Sequence, residues 1–284
     1  MLFKNNINNL LKKIDEIDKI SDKEWKKQLN IRKIKELEFH DRDRDINNIE
    51  SRISSDTYEK FYGNKKYYIA TKRSNKFVKN WISAEAKDKV FLDYACGNGG
   101  NAIFAAKNGA ALSIGFDISS ISVKNARNAA SLADVNKIKF FQADAENTKL
   151  PDSSIDTIVC SGMLHHLDLS YAFPEMRRIL KPGGKILAVE ALDYNPLIKL
   201  YRKLTPDMRT EWEKAHILDL SDIKFASRFF DVVDIRYWHV LGFVAGKIPR
   251  LFPIMDKLDI ILEKIPLLQR MAWIFTFELK KKED

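Results

Sequence analysis

Residues 90–101, VFLDYACGNGGN, constrain the fold of this chain more than any other segment. Five residues typical of a buried strand run directly into a turn with three glycines, and a helical pattern follows. Because glycine has no Cβ, such a turn lets the backbone approach a ligand closely. Similar turns hold flavins and nicotinamide dinucleotides. The sequence therefore predicts a strand–turn–helix unit for a nucleotide-like ligand, and a purely structural tight turn is the alternative.

Short apolar runs alternate with helical stretches from here to residue 191, the pattern of a mostly parallel sheet covered on both faces by helices. We predict strands at 90–94, 112–117, 138–142, 155–161 and 185–191, and helices at 99–108, 122–133 and 172–180. Residues 181–184, KPGG, predict a turn before the last of these strands, because proline ends a helix and glycine tolerates positive φ.

The flanking segments have different patterns. Apolar spacings of three and four predict two amphipathic helices within residues 1–38. Dense alternating charge at 38–45 breaks that periodicity, 51–56 resembles a loop, and helical character resumes over 58–81. After residue 195 we expect helices at 195–204 and 210–218, a strand within 229–239, short helices over 240–275, and a last strand or further helix at 272–279.

Composition narrows the class of protein. A hydrophobic fraction of 45% and a charged fraction of 31% are those of a folded globular protein. Cys96 and Cys160 lie in apolar strand-like runs, which indicates reduced thiols and a cytoplasmic location. We find no secretory signal and no apolar run of membrane-spanning length. The net charge of +9 favours anionic partners such as phosphorylated metabolites, nucleic acid or lipid headgroups, or simply reflects a soluble lysine-rich surface.

Two aspartates follow predicted strands at positions suited to a nucleoside. Asp117 ends the second strand, where a carboxylate can accept hydrogen bonds from both ribose hydroxyls. Asp144 follows the third strand and can accept from the exocyclic amine of adenine. A helix cap is the alternative role for each. Together with the glycine turn, the pair favours a nucleoside-containing cofactor.

Five segments, VFLDYACGNGG, IGFDIS, FFQADAENTKLP, DTIVCSGMLHHL and LKPGG, occur in the order and spacing of one family. The chain resembles a class I S-adenosylmethionine-dependent methyltransferase of the small-molecule branch, similar to quinone-type methylases, over residues 89–192. The resemblance implies an α/β, Rossmann-like, doubly wound and mostly parallel seven-stranded sheet. It also implies S-adenosylmethionine as cofactor and S-adenosylhomocysteine as product. We expect an N-terminal helical extension or lid (1–69), a cofactor-binding core (70–192), and acceptor-binding helices with the final strands (193–284).

The resemblance also implies cofactor-binding residues. Asp93, Gly97 and Gly99 would surround the methionine part, Asp117 would bind the ribose, and Asp144 with Ala145 would frame the adenine. Ala95 stands where a glycine is common, and Asn101 stands where a dinucleotide-binding turn has its third glycine, which argues against a dehydrogenase. The full expected set is Asp93, Ala95, Gly97, Gly99, Asn101, Asp117, Ile118, Asp144, Ala145 and Ser161.

Three histidines are candidates for catalysis. The methyl group on a sulfonium is already activated, so the protein mainly has to align a nucleophile behind it. For a hydroxyl acceptor a nearby base helps, and His165 and His166 follow the fourth strand, with His165 preferred. They can instead shape the pocket or cap a helix. His40, in EFHDRDRD, fits either a lid over the cofactor or a solvated helix end held by ion pairs.

Acceptor binding is assigned to three further residues. Arg42 lies in the same charged segment as His40 and would act with it in the lid. Arg209 and His216 follow the fifth strand, where this fold inserts acceptor-binding elements, and Arg209 can pair with an anionic group. A surface turn with helix capping is the alternative. No metal site is expected, because no His/Asp/Glu cluster has ligand spacing along the sequence.

The function expected from these features is methylation of a small molecule, at a hydroxyl of an anionic or glycan-related metabolite. Carbon and nitrogen acceptors stay open, because the donor site would be the same. Nucleic acid is disfavoured, since the fourth strand ends in Ser161-Gly162-Met163 without the Asn/Asp-Pro-Pro-aromatic arrangement of base amino methylation. The alternatives are a lipid acceptor reached through peripheral membrane contact by the apolar and basic segment 240–275, and a non-catalytic cofactor-binding protein. The sequence does not indicate an oligomeric state.

Overall fold

The computed structural model describes residues 2–44, 70–242, 244 and 249–283. A seven-stranded sheet in the order β3-β2-β1-β4-β5-β7-β6 forms its centre. The strands are β1 Val90–Tyr94, β2 Leu112–Asp117, β3 Ile138–Gln142, β4 Ile155–Ser161, β5 Leu180–Ala191, β6 Phe230–Trp238 and β7 Ile274–Lys281. β1 to β5 pair in parallel, and β7 is antiparallel to both β5 and β6. The predicted Rossmann-like α/β fold and its mostly parallel seven-stranded sheet are confirmed.

Helices cover the sheet and extend the chain at its N-terminus. They are α1 Leu2–Ile17, α2 Asp22–Gln28, α3 Ile31–Arg44, α4 Lys72–Glu85, α5 Gly100–Lys107, α6 Ser120–Leu132, α7 Leu169–Ile179, α8 Pro196–Leu204, α9 Glu211–Ala215, α10 Leu220–Ala226 and α11 Phe252–Leu262. The three predicted core helices, α5 to α7, begin and end within three residues of the expected bounds. Among the described residues, no helix combines the length and the apolar character needed to cross a membrane.

Four core strands have the predicted bounds, but β5 begins at Leu180 rather than at residue 185. The separate turn predicted for KPGG is therefore wrong. Leu180 pairs with Ile155 and Lys185 pairs with Thr157, so the strand absorbs the extra residues as an irregularity in its register. Gly183 does adopt the positive φ expected of a glycine there, at 70°.

The N-terminal segment forms three helices instead of the two predicted. A capping box between Ser21 and Glu24 starts α2, because each residue's side chain bonds the other's backbone N–H. The predicted break at 38–45 is also wrong, because α3 continues through Arg44. The predicted loop at 51–56 and the first part of the helix predicted over 58–81 lie outside the described residues.

The N-terminal helices share the core of the sheet. Leu10, Ile14 and Ile17 of α1 and Trp25 of α2 are buried in the same apolar cluster as side chains from β1 to β5. The expected division into three parts stays a prediction, and the described part of the extension packs directly on the sheet. Downstream, α8, β6, α11 and β7 confirm the helix, strand, short-helix and last-strand predictions, while α9 is shorter than expected.

The strand order fixes where a ligand can bind. β1 lies between β2 and β4, so the chain leaves the carboxyl end of β1 toward one side of the sheet and later returns on the other. In open α/β sheets the crevice outside the carboxyl ends of the strands at such a switch point holds the ligand. The glycine turn follows β1 directly and therefore lies at that crevice.

Candidate cofactor and acceptor site

A cavity of about 280 Å³ lies at the carboxyl ends of β1, β2 and β4. Nine of the ten residues expected to bind the cofactor line it, namely Asp93, Ala95, Gly97, Asn101, Asp117, Ile118, Asp144, Ala145 and Ser161. The structure thus brings together residues from four separate sequence motifs. Gly99 is the exception, and its role is different.

Gly99 is required by packing behind the turn. Its φ is +77°, and a Cβ there would lie 2.6 Å from the ring of Phe140 and 2.9 Å from Ala126. Gly97, with φ +52°, instead faces the cavity, where a Cβ would come near only the guanidinium of Arg44 among the described groups, at 3.5 Å. One glycine seats the turn on β3 and α6, and the other leaves backbone open to a ligand.

Asp93 forms the buried floor of the cavity. Its carboxylate accepts hydrogen bonds from the Ala102 N–H at 3.1 Å and from the Asn101 amide at 3.4 Å, which ties the end of β1 to the start of α5. Burial raises the pKa of Asp93 to about 7, although these hydrogen bonds act in the opposite direction. Asp93 is 2% exposed, so its hydrogen bonds hold the turn in place from the buried side.

Asp117 and Asp144 occupy the strand ends as expected. Asp117 accepts from the backbone N–H groups of Gly97 at 2.9 Å and Ser119 at 3.0 Å. Asp144 accepts from the backbone N–H of Glu146 at 2.9 Å. These bonds to nearby backbone hold both carboxylates against the cavity wall, and each carboxylate has a second partner from α3.

α3 forms the wall opposite the strand ends. Arg32, Glu36, His40 and Arg44 all line the cavity, and their spacing of four residues places them on one face of the helix. Arg44 donates to Asp117 at 3.2 Å. Sequence reasoning missed this face because it treated the charged residues as a break in periodicity. The regular i, i+4 spacing of these four side chains in the sequence is the signal that could have predicted this helix face.

The other two cations of α3 that line the cavity, Arg32 and Lys33, are also paired. Lys33 Nζ lies 2.6 Å from Asp144 Oδ2 and 2.8 Å from Glu146 Oε2. Arg32 donates to Glu146 and, at 2.8 Å, to the carbonyl of His166. These ion pairs fasten α3 across the carboxyl edge of the sheet, over the place predicted for the cofactor.

Of the two histidines after β4, the structure places His166 on the cavity and leaves His165 outside its lining. His166 Nδ1 is 2.8 Å from Glu36 Oε2, and its ring packs edge-on against that of His40, with centroids 4.6 Å apart. Burial, reinforced by the nearby His166 and Arg44, holds the pKa of His40 well below its ordinary value. Two imidazole rings, those of His40 and His166, therefore lie side by side in the cavity lining.

His165 is held by Glu190, a residue that sequence reasoning did not single out. Glu190 of β5 is 1% exposed and lies 2.7 Å from His165 Nδ1. It also accepts from the backbone N–H groups of Met163 at 2.9 Å and Leu164 at 2.8 Å. One buried carboxylate thus fixes the whole loop after β4. The preference for His165 as a base stays a prediction. In the structure His165 is bonded to Glu190 and does not line the cavity.

The three expected acceptor-binding residues do not line the cavity described here. Arg209 donates to the Thr205 carbonyl at 3.2 Å and pairs with Glu213 at 3.4 Å. His216 stacks on Trp212, with ring centroids 3.7 Å apart, and Arg42 lies over the ring of Phe39. Their assignment to the acceptor stays a prediction without a shared site to support it.

The order of the sheet, the glycine turn and the strand-end carboxylates are those expected of a class I S-adenosylmethionine-dependent methyltransferase domain. Residues 92–188 match the family model described as "Methyltransferase domain", which places this segment in that family. The match begins within β1 and covers the glycine turn, β2 to β4 and most of β5.

Two curated relatives and one solved structure illustrate the similarity. The chain is 34% identical over 119 residues to 27-O-demethylrifamycin SV methyltransferase of Amycolatopsis mediterranei, covering 41% of this chain and 43% of that protein. It is 35% identical over 95 residues to the ubiquinone/menaquinone biosynthesis C-methyltransferase UbiE of Marinomonas sp., covering 33% and 34%. The chain thus spans less than half the length of these relatives. Geranyl diphosphate C-methyltransferase of Streptomyces coelicolor A3(2) has the same fold, with a TM-score of 0.56 and 16% identity over 78% of this chain and 84% of that one.

Proposed function

We propose that this chain is an enzyme that transfers the methyl group of S-adenosylmethionine to a hydroxyl of a small molecule. The observation that carries the proposal is the cavity at the switch point of the sheet, where Asp93, Gly97, Asp117 and Asp144 converge. Two histidines line the same cavity, His40 from α3 and His166 from the loop after β4. One end thus suits the nucleoside of the cofactor, and the other end suits a polar acceptor.

The cofactor would bind along the strand ends. Asp117 would accept from the ribose hydroxyls, Asp144 would accept from the adenine amine, and the exposed backbone at Gly97 would admit the methionine part. Arg44 and Lys33 now bond these two aspartates, so they compete with the cofactor for the carboxylate oxygens. Binding of the cofactor would therefore displace Arg44 and Lys33 from these oxygens, or the cofactor and these two cations would share them.

The chemistry requires alignment more than additional reactive groups. The sulfonium activates the methyl group, and the enzyme has to hold the acceptor oxygen in line with the carbon–sulfur bond. α3 covers the cavity and would keep water from the methyl group. His40 and His166 place imidazole nitrogens where an acceptor hydroxyl can hydrogen-bond, which favours oxygen over an unactivated carbon.

The acceptor need not be anionic. The cations of α3 that face the cavity, Arg32, Lys33 and Arg44, are paired with Glu146, Asp144 and Asp117. The expectation of an anionic metabolite therefore depends on the net charge of +9 and on Arg209, which does not line this cavity. The relative UbiE is named a C-methyltransferase. If this chain methylated a carbon atom, the product would show it directly.

The test uses methyl-deuterated S-adenosylmethionine, the purified protein and a cell extract, with mass spectrometry of the aqueous and organic phases. We expect label on oxygen in a small molecule, lost in Asp117→Ala and retained in Glu211→Gln, whose side chain is 83% exposed and lies outside the cavity. Label on carbon would overturn the choice of acceptor atom. If the cofactor binds and neither phase gains label, the proposed methylation of a small molecule is contradicted.

A lipid acceptor is a second candidate, favoured by an exposed apolar stripe on α11. Ile254, Leu258 and Ile261 repeat at helical spacing with exposures of 59%, 46% and 60%. Lys257 and Lys264 lie close to them in the sequence, and cations beside an apolar helix face suit an anionic membrane surface.

Cosedimentation with phosphatidylglycerol vesicles at low salt tests this candidate. We expect binding by the wild type, weakened in Ile254→Glu/Ile261→Glu. The control is Leu132→Glu, because Leu132 is 90% exposed on the distant helix α6. No sedimentation of the wild type, or an equal effect of the control, would remove the lipid candidate.

A further inference from the structure

We propose that Glu36, His40 and His166 bind a divalent transition-metal ion at the acceptor end of the cavity. One donor atom from each of the three residues lies within 4.8 Å of the others. All three side chains line the same cavity as the expected cofactor residues. The inference rests on the proposed function, because the ion would act on the acceptor hydroxyl.

The spacing of the donors suits a single ion. In a tetrahedral site with metal–nitrogen bonds of 2.0–2.1 Å, neighbouring donors lie about 3.4 Å apart. Glu36 Oε2 is 2.8 Å from His166 Nδ1 and 4.0 Å from His40 Nε2, so these two separations bracket that value. Small side-chain rotations would bring the three donors to equal distances around an ion.

Glu36 gives an independent indication of a missing partner. It is 5% exposed, and its Oε1 is fully buried with no hydrogen-bond partner among the described residues. A buried carboxylate oxygen without a partner costs stability, because nothing replaces the hydrogen bonds that it loses to water. A cation beside Glu36 would remove that cost, whereas the hydrogen bond to His166 uses only Oε2.

Two imidazoles and one carboxylate form a donor set typical of Zn²⁺ and of Fe²⁺, Mn²⁺ or Co²⁺. Sequence analysis found no such set because Glu36 and His40 lie on α3 and His166 follows β4, and only the folded chain brings them together. The ion would therefore also clamp α3 onto the core.

Two other clusters of possible ligands are less suited to an ion. His165 Nε2 and Glu213 Oε1 approach His166, but the same oxygen of Glu213 already pairs with Arg209 at 3.4 Å. In the third cluster, Asp259 accepts from the backbone N–H groups of Leu241 and Gly242, and Glu263 pairs with Arg73. The carboxylates of that third cluster therefore have donors that an ion would have to replace.

The ion would supply the activation of the acceptor. Three protein ligands leave a coordination position for the acceptor hydroxyl, and binding to the metal lowers the pKa of that hydroxyl. The proton leaves to water, and the oxygen forms a bond to the methyl carbon. The carbon–sulfur bond breaks, and its electron pair returns to sulfur, which yields neutral S-adenosylhomocysteine. No redox partner is needed.

The test measures metal content directly and does not depend on activity. The full chain is stripped with a chelator, dialysed against Zn²⁺ and then against metal-free buffer, and assayed by plasma mass spectrometry. We expect one Zn²⁺ per chain, and affinity at least about 100-fold weaker in Glu36→Gln and His166→Gln, since even outer partners of ligands cost 10–100-fold. The control is His216→Gln, whose ring stacks on Trp212 outside the cluster.

Co²⁺ provides a second measurement that needs no variant. Bound to two imidazoles and a carboxylate with low coordination number, Co²⁺ should give intense visible absorption in the wild-type protein. Absence of stoichiometric Zn²⁺ together with a spectrum of hexaaqua Co²⁺ would overturn the proposal. Stoichiometric Zn²⁺ that all variants and the control retain equally would overturn this choice of ligands.

The two proposals fail in different ways. Labelled product from a wild-type protein that binds no metal would contradict the proposed metal site and leave the methyltransferase assignment intact. Stoichiometric metal held by these residues, without methyl transfer to any small molecule, would support the site and contradict the proposed function.

Discussion

The two ends of the cavity are built in different ways. The cofactor end consists of the glycine turn and of carboxylates at the carboxyl ends of β1, β2 and β3, each fixed by neighbours in the sequence or by the sheet itself. The acceptor end consists of side chains from α3 and the loop after β4, which lie far apart in the chain. Local backbone rules determine the first end, whereas tertiary packing determines the second.

Removing Glu190 should have the largest effect, and it tests how the acceptor end is held. Glu190→Ala leaves two backbone N–H groups and His165 without their shared acceptor in a buried place. We expect the free energy of unfolding to fall by about 3–5 kcal/mol, measured by urea denaturation. Glu190→Gln, which keeps the shape and an acceptor oxygen, should cost clearly less.

The matched control is Glu211→Gln, since the Glu211 side chain is 83% exposed and forms only a surface pair with Lys214 among the described contacts. It should change stability by less than about 0.5 kcal/mol. Equal effects at Glu190 and Glu211 would show that the loop after β4 does not depend on the buried carboxylate.

Glycine substitutions test the cofactor end. Gly99→Ala combines a strained φ with a Cβ placed 2.6 Å from Phe140, so we expect a loss of about 2–3 kcal/mol. Gly162→Ala has positive φ but meets no described atom within 4 Å, and should cost about 1 kcal/mol. Gly100→Ala, in helical conformation with open space, should be neutral or slightly stabilising. Any other ranking in urea denaturation contradicts the packing role of Gly99.

Asp93, at the cofactor end, should make the stability of the folded chain depend on pH. Its pKa of about 7 in the folded chain lies above the ordinary value of 3.8, so between these pH values the folded state binds more protons than the unfolded state. Its contribution to stability is therefore fully present below about pH 4 and is lost as the pH rises toward 7. Without cofactor, the wild type should lose up to about 1.4 kcal/mol per pH unit relative to Asp93→Asn. Parallel stability curves for the two proteins would exclude a raised pKa at this position.

The same contrast explains what the sequence could predict. The bounds of β1 to β4 and the cavity position of Asp117 and Asp144 follow from apolar periodicity and from glycine and acidic residues at strand ends. Glu36 and Glu190 were missed because each looks ordinary in sequence, one within a charged helix and one within a strand. Their roles depend on which elements pack across the carboxyl edge of the sheet, and local patterns do not encode that packing.

The most direct test of the account is calorimetric titration of the protein with S-adenosylmethionine. We predict one cofactor per chain for the wild type and for His216→Gln. For Asp117→Asn the affinity should be about 10- to 100-fold weaker, because hydrogen bonds to a charged group contribute about 1.5–3 kcal/mol. Absence of binding, or equal affinity for wild type and Asp117→Asn, would contradict the placement of the cofactor at the carboxyl ends of β1 and β2.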